Sequence, residues 1–567
     1  MKRTGAEIIL DSLVAHGVHT VFGYPGGACL PLYDALYHYQ DRINHILVRH
    51  EQGAAFAADG YARASADVGV CIATSGPGVT NLVTGIAGAH MDSVPVVALT
   101  GQVPRNLLGT DGFQETDATG VMLPITKHNW LVMNAEELPR VMEEAFHIAN
   151  TGRKGPVQVD VPKDVFLEEV EFDNFPPPNI PGYNPDEGMQ PDPTLVREAA
   201  EVIHGSEKPI ILAGHGIHYS GAYEELLAFA EKANIPVITT LHGVSSFPES
   251  HDLSFGMVGM HGNIYANWAV DRADLLISLG MRFDDRVTGR LEDFATEARI
   301  IHVDIDPAEI GKNVNTDVGI VADLKPTIRA LIDEIDQLDH SPWVKQICQW
   351  REDHPSLAIR ETEIVLPQWV IRQIYHITNG EAVVVTDVGQ AQMWAAQHFW
   401  YDRRNTFFSS GGLGAMGYAF PASIGVKYAR PNEQVWCIIG DGGFQMTLQD
   451  LAVVKEHNID VKIAIINNNH LGMIRQWQTL FYDSRFMSAK LENPDFVKLA
   501  EAYGLPGLRA STKSDVVKVL KEAEEIPGPV VLDLVVDEVE KVYPMVPAGS
   551  SLAETIEGDE VEEARYA

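Results

Sequence analysis

The chain has 567 residues, 45% of them hydrophobic and 21% charged, a balance typical of globular proteins and a length beyond what one hydrophobic core serves. Its formal charge of −36 at pH 7 argues against nucleic acid and anionic membranes as partners. No apolar run reaches membrane-spanning length.

The opening MKRTGAEIILDSLVAHG has the spacing of an amphipathic helix and lacks the continuous apolar stretch of a signal peptide. A cytoplasmic protein is expected, or one in an organelle matrix from which a transit peptide has been removed. Short apolar or β-branched runs then alternate with helical segments: VGVCIAT, VPVVALT, PVQVDV, KPIILAG, LLISLG, RIIHVDI, AVVVTD, VWCIIG, VKIAIIN and VVLDLVV. Many are apolar throughout, as strands covered on both faces are. The expected fold class is α/β, with three doubly wound parallel-sheet domains at 1–173, 190–338 and 366–545. The Pro-rich stretch 174–193 reads as a linker, and so does 339–365, which is polar and helical in parts. Residues 546–567 form an acidic tail, mobile or capping. Cys29, Cys71, Cys348 and Cys437 have no paired spacing, so reduced core thiols are expected rather than disulfides or a zinc site.

In chain order, the first candidate is Glu51, which follows the strand-like HILV and opens a helix of small residues, AAFAADGYARA. A first-turn glutamate is ordinarily a solvated partner of the helix dipole. Next, LAGHGIHYSGA places a Gly-rich turn after a strand, by itself weak evidence for a nucleotide site. The strongest constellation comes last. VWCIIG runs into Asp441, Gly442 and Gly443, one helical stretch follows (MTLQDLAVVKEHN), and VKIAII runs into Asn467, Asn468 and Asn469. A right-handed crossover makes the two strands parallel, so Asp441 and Asn468 end at the same edge, about 5 Å apart if the strands are adjacent. Ligands of open α/β sheets bind at that edge. A carboxylate and an amide oxygen suit magnesium, which keeps phosphate oxygens and water as further ligands. GDG alone is a common turn and NN a common loop start, but with strand, helix and strand between them the pair resembles the thiamine-diphosphate motif.

Across nearly the whole chain the sequence resembles acetohydroxyacid synthase catalytic subunits. The likeness is carried by FGYPGGACLPLYDAL, RHEQGAAFAADGYAR, ATSGPGVTNLVTGIAGAHMDSVPVVALTGQVP, GTDGFQETD, GPVQVDVPKDV, GMHG, RFDDRVTG, HVDIDPAEIGKN, TDVGQAQMW and GGLGAMGYAFPA. It implies a transferase that decarboxylates pyruvate on thiamine diphosphate and joins the remaining fragment to pyruvate or 2-ketobutyrate, at the start of branched-chain amino-acid synthesis. It implies magnesium held by Asp441, Asn468 and the His470 carbonyl, and thiamine diphosphate contacted by Gln390, Gly414, Met416, Gly442, Gly443 and Leu471. Glu51 becomes the carboxylate against the pyrimidine, Met416 the prop for the bent cofactor, and Gln114 the hydrogen-bonding partner of the intermediates beside a wall formed by Phe113. Arg286 is implied near the incoming carboxylate, with Asp284 or Asp285 as rival partners, and Trp477 as a bias on the acceptor. FAD, without a net redox role, is implied at Arg153, Gly214, Gly216, Thr240, Leu241, Gly259, Met260, His261, Gly280, Arg282, Asp304, Ile305 and Asp323. A homodimer or homotetramer with sites between chains, and a small regulatory subunit, are implied as well. The sequence departs from the family's GQHQMW in having Ala391 where a histidine touches the diphosphate, which implies weaker cofactor binding. Glyoxylate carboligase, pyruvate oxidase and a non-catalytic paralogue are the rivals; Glu51, GTDGFQE and RFDDRVTG weigh against them.

Overall fold

A computed structural model describes residues 2–183 and 189–558. It contains three six-stranded sheets, every neighbouring pair of strands parallel. The first runs, in spatial order, Asn44–Leu47, Thr20–Gly23, Gly69–Ala73, Val96–Gln102, Val157–Pro162 and His128–Leu131. The second runs Ser254–Met257, Val237–Thr239, Pro209–Ala213, Leu275–Leu279, Arg299–Asp304 and Val318–Val321. The third runs Phe407–Ser409, Val383–Thr386, Val435–Gly440, Val461–Asn467, Val530–Val535 and Gly507–Ala510. Central strands such as Val96–Gln102 and Val461–Asn467 are buried along their whole length, because helices cover both faces.

The first and third domains share one apolar core. Their contact is made by the helices Glu51–Ser65 and Ala419–Ala429, and the small residues read in the sequence make it possible. A Cβ on Gly60 would lie 2.2 Å from the Ala422 carbonyl oxygen, and one on Gly425 would lie 1.8 Å from that of Ala57. Only glycine lets these two backbones approach so closely.

The connecting stretches are more structured than their composition suggests. Within 174–193, Phe175, Ile180 and Tyr183 pack against the first domain's core, while 184–188 lie outside the described residues. Within 339–365 there is a helix, Ser341–Asp353, whose Trp343 and Ile347 are buried in the core of the middle domain. The tail is docked as far as it is described: Leu552 is buried beside the helix Ile264–Asp271, and Met545 pairs with Ile556. Its last residues, 559–567, lie outside the described residues. Among the described residues no helix is long and apolar enough to cross a membrane.

One expectation is corrected. The connection from Asp441 to Asn468 is not one helix but three pieces: Asp441–Thr447, a 3-10 turn at Leu448–Asp450, and Leu451–Glu456. The ladder breaks where side chains bond elsewhere. Thr447 Oγ1 donates to the Gly417 carbonyl at 3.2 Å, and Asp450 Oδ1 accepts the Arg49 N–H at 3.4 Å.

Candidate active site

The strands Val435–Gly440 and Val461–Asn467 are neighbours in parallel register, Gly440 opposite Ile466, so Asp441 and Asn468 emerge side by side at the sheet's C-terminal edge. Burial pushes the Asp441 carboxyl up to about 6, against the hydrogen bonds it accepts from Asn493 Nδ2 (2.6 Å) and the Gly442 N–H (3.0 Å). Asn468 Oδ1 accepts the His470 N–H at 3.1 Å, and its Nδ2 donates to Gln390 Oε1 at 3.2 Å. Gln390 Nε2 is held in turn by Gln476 Oε1 and the Glu540 carbonyl, both at 3.0 Å. The His470 imidazole folds back, Nδ1 lying 2.9 Å from the Asn468 carbonyl oxygen. Among the described residues no three His, Cys, Asp or Glu side chains cluster as a metal site. The donors here are instead hard oxygens, one carboxylate with amide and main-chain carbonyls. A buried carboxylate compensated only by neutral amides fits a magnesium ion in this place.

Asn493 escaped the sequence reading. Its amide also lies 3.0 Å from Asn467 Oδ1 and 3.2 Å from Asn469 Oδ1, and nothing in LENPDF marks it. Asp387 escaped as well. It accepts the N–H groups of Gly417 and Ala419, both at 3.1 Å, and so ties the Gly-rich loop carrying Gly414 and Met416 to the end of the strand Val383–Thr386. A Cβ on Gly443 would stand 1.8 Å from Asp387 Oδ2. A Cβ on Gly442 would stand 2.7 Å from Leu471 Cδ2 and 3.7 Å from Met416 Cε, so these three residues converge.

Ala391, at the start of the helix Gln390–His398, is 5% exposed and packed in an apolar cluster. Replacing it by histidine should lower the thiamine diphosphate concentration needed for half-maximal activity, by up to about tenfold for one hydrogen bond to a phosphate. An unchanged requirement on titration would remove the proposed deficit.

Glu51 lies at a different edge, that of the first sheet. It opens the helix Glu51–Ser65, 9% exposed, and its Oε2 accepts a hydrogen bond of 3.0 Å from Asn81 Nδ2. Asn81 sits on the helix Pro77–Met91, whose N-cap Gly76 supports Gln114: a Cβ on Gly76 would come within 2.8 Å of the Gln114 carbonyl oxygen. Gln114 has φ +61°, and its loop is held by the Glu115 carboxylate, which accepts the N–H groups of Gly109, Thr110 (3.2 Å) and Gly112 (2.9 Å). Phe113 is 89% exposed, so within one chain it walls nothing. Among the described residues no hydrogen bond or ion pair joins Glu51 or Gln114 to Asp441, Asn468 or Gln390.

A cavity of about 920 Å³ lies among the domains. Of the thirteen residues expected at FAD, eleven line it; Gly214 and Gly259 lie behind. A Cβ on Gly214 would meet the Gly280 carbonyl oxygen at 2.3 Å, and one on Gly259, at φ +115°, the Arg286 carbonyl oxygen at 2.3 Å. Arg286 and Trp477 line the same space. Arg286 Nη1 is 3.1 Å from Met260 Sδ and its Nε 3.9 Å from Asp285, whereas Asp284 is taken by Arg282 at 3.6 Å. Among the described residues the Trp477 indole N–H has no partner, and its ring meets Phe481 edge-on at 5.5 Å. Arg153 reaches from the first domain to Asp306 (3.1 Å) and Glu309 (2.7 Å) of the middle one, steadied by Ser93 of its own domain (2.9 Å).

Beneath the cavity a buried charge network joins all three domains. Arg63 donates to Asp59 at 2.7 Å and to Asp92 at 2.8 Å, and Tyr418 O–H donates to Asp59 at 2.6 Å. Asp92 also accepts the N–H groups of Gly411 (3.2 Å) and Gly412 (2.7 Å) and lies 3.1 Å from His242 Nε2. Burial alone would raise the Asp92 carboxyl, but His242 and Arg63 hold it far below the usual carboxylate range.

Comparison with known sequences agrees with this arrangement. Residues 3–121 match the thiamine pyrophosphate enzyme N-terminal TPP binding domain, 196–331 the central domain, and 387–534 the C-terminal TPP binding domain. Fold and sites therefore define a thiamine pyrophosphate enzyme. The chain is 49% identical to an acetolactate synthase large subunit of Mycobacterium tuberculosis, over 99% of this chain and 92% of that one. It is 48% identical to a probable acetolactate synthase large subunit of Methanocaldococcus jannaschii, over 98% and 96%, and 47% identical to that of Corynebacterium glutamicum, over 97% and 89%. The chain belongs to the acetolactate synthase large-subunit family.

Proposed function

We propose that this protein converts two molecules of pyruvate, or pyruvate and 2-ketobutyrate, into a 2-acetohydroxy acid and carbon dioxide, with thiamine diphosphate, magnesium and FAD bound. The observation that carries the reading is the paired strand ends at Asp441 and Asn468, where a buried carboxylate has only neutral amide donors. Bound thiamine diphosphate supplies the nucleophilic carbon and the electron sink that decarboxylation requires. Asp441, Asn468 and the His470 carbonyl would hold the magnesium. Gln390, Gly414, Gly442, Gly443 and Leu471 would surround the diphosphate, while Met416 would hold the cofactor's two rings close together.

Glu51, fixed by Asn81, exchanges a proton at a carboxylate oxygen in a nearly dry setting. Gln114 offers its amide to substrate oxygens. Arg286, weakly paired with Asp285 at 3.9 Å, would exchange that pairing for the acceptor's carboxylate, and its guanidinium gathers local positive charge against an acidic whole. The Trp477 ring favours the extra methyl of 2-ketobutyrate by about 1 kcal/mol. FAD would occupy the cavity of the middle domain as a structural group.

The exposure of Phe113, 89% in one chain, supports a dimer in which Glu51 and Gln114 of one copy complete the Asp441 edge of the other. The name "large subunit" carried by the relatives supports a small regulatory partner. An anaerobic assay with pyruvate alone tests the activity: acetolactate should accumulate with thiamine diphosphate, magnesium and FAD supplied. None formed would overturn the reading.

A further inference from the structure

The cavity among the domains is lined by four arginine or lysine side chains, and three have a carboxylate within 4 Å. Arg153 has Asp306 and Glu309, Arg282 has Asp284 at 3.6 Å, and Arg286 has Asp285 at 3.9 Å. Lys154 is the exception. Among the described residues its ammonium joins no ion pair or hydrogen bond, and it rests over the Tyr219 ring, 5.0 Å from the centroid. Tyr219 is itself stacked on His215 at 4.5 Å, and both rings line the cavity, so Lys154 is braced against a fixed wall. The cavity is also lined by the carboxylates Asp92, Asp284, Asp304, Glu309 and Asp323, and the charge of Asp67, which does not line it, acts on Lys154 as well. Of the histidines lining the cavity, burial holds His215 well below its usual range and His261 at about 4, so these two add no charge near neutral pH. Burial also lowers the Lys154 ammonium, so an anion beside it would be favoured.

We infer that Lys154 is the cation of this cavity that binds a nucleotide's diphosphate, its ammonium donating to a phosphate oxygen while Tyr219 holds the side chain in place. The inference rests on the reading of the cavity as a dinucleotide site. A ligand with two phosphate charges entering a cavity lined by five carboxylates needs a cation that no carboxylate pairs within 4 Å, and among the lining residues Lys154 is that cation.

The test uses the full-length chain and three probes: FAD, ADP and riboflavin, with flavin fluorescence and calorimetry as readouts. Lys154→Gln should weaken FAD and ADP by about tenfold and flatten the salt dependence of both. Riboflavin, which lacks phosphate, should bind the variant and the native chain alike, and Lys154→Arg should restore FAD and ADP. Equal FAD and ADP affinity in Lys154→Gln and the native chain would overturn the role of Lys154 and leave the dinucleotide site standing. A loss in the glutamine variant that includes riboflavin and that arginine does not restore would also overturn it, since only local structure would then have been damaged. Failure of the native chain to bind either FAD or ADP would overturn both readings together.

Discussion

Glu51→Gln should slow acetolactate formation by about 100- to 10,000-fold, the range in which a positioned general acid or base contributes. The substitution keeps shape and volume. The amide oxygen of the new side chain still accepts from Asn81, now 3.0 Å from the carboxylate, so the start of the Glu51 helix should survive. What is lost is the ability to gain and release a proton at that position. The measurement is kcat with saturating pyruvate and cofactors, together with hydrogen–deuterium exchange at the thiazolium C2 of added thiamine diphosphate. Both should fall together, with little change in the apparent cofactor affinity, since among the described residues no hydrogen bond or ion pair joins Glu51 to those expected at the diphosphate. Turnover near that of the native chain would remove Glu51 from its role.

The second large effect is on stability. Arg63→Met should cost about 3–5 kcal/mol, because it strands Asp59 and Asp92 in the interior without their counter-ion. The Arg63 side chain is 3% exposed and that of Asp92 is 0% exposed, so water cannot take its place. A fall in the thermal or urea unfolding midpoint is expected, and with it a loss of activity, because Asp92 also holds the backbone of Gly411 and Gly412 at the start of the Met416 loop. Adding Asp59→Asn and Asp92→Asn should recover part of the loss by removing the stranded charges. An unchanged midpoint in Arg63→Met would mean that the network contributes nothing net to stability.

Much of this architecture is legible in the sequence, for identifiable reasons. Strands buried on both faces are written as apolar runs, and the start of the Glu51 helix and the strand end before Asp441 are local events with local signals. Features made by distant partners are not. Asn493 reaches Asp441 across 52 residues and Asp92 reaches Gly412 across 320, and neither pairing leaves a periodicity. The three-piece connection after Asp441 was hidden for the same reason: Thr447 and Asp450 break the helix through bonds to residues far away in sequence. Arg286 shows the converse. Proximity in sequence offered it Asp284 or Asp285, but backbone geometry gave Asp284 to Arg282.

The docked C-terminal stretch sets an order of events during synthesis. The Val546 N–H donates to the Met260 carbonyl at 2.7 Å, the Pro544 carbonyl lies 3.2 Å from His261 Nδ1, and Arg290 Nε donates to the Gly549 carbonyl at 2.8 Å. Met260 and His261 are cavity walls, yet the residues that fasten them leave the ribosome more than 280 positions later. Whatever the middle sheet does as it emerges, its pocket is clasped only after the third domain has been made. A nascent middle domain therefore offers an unfastened pocket, and tight retention of a ligand there becomes a property of the finished chain.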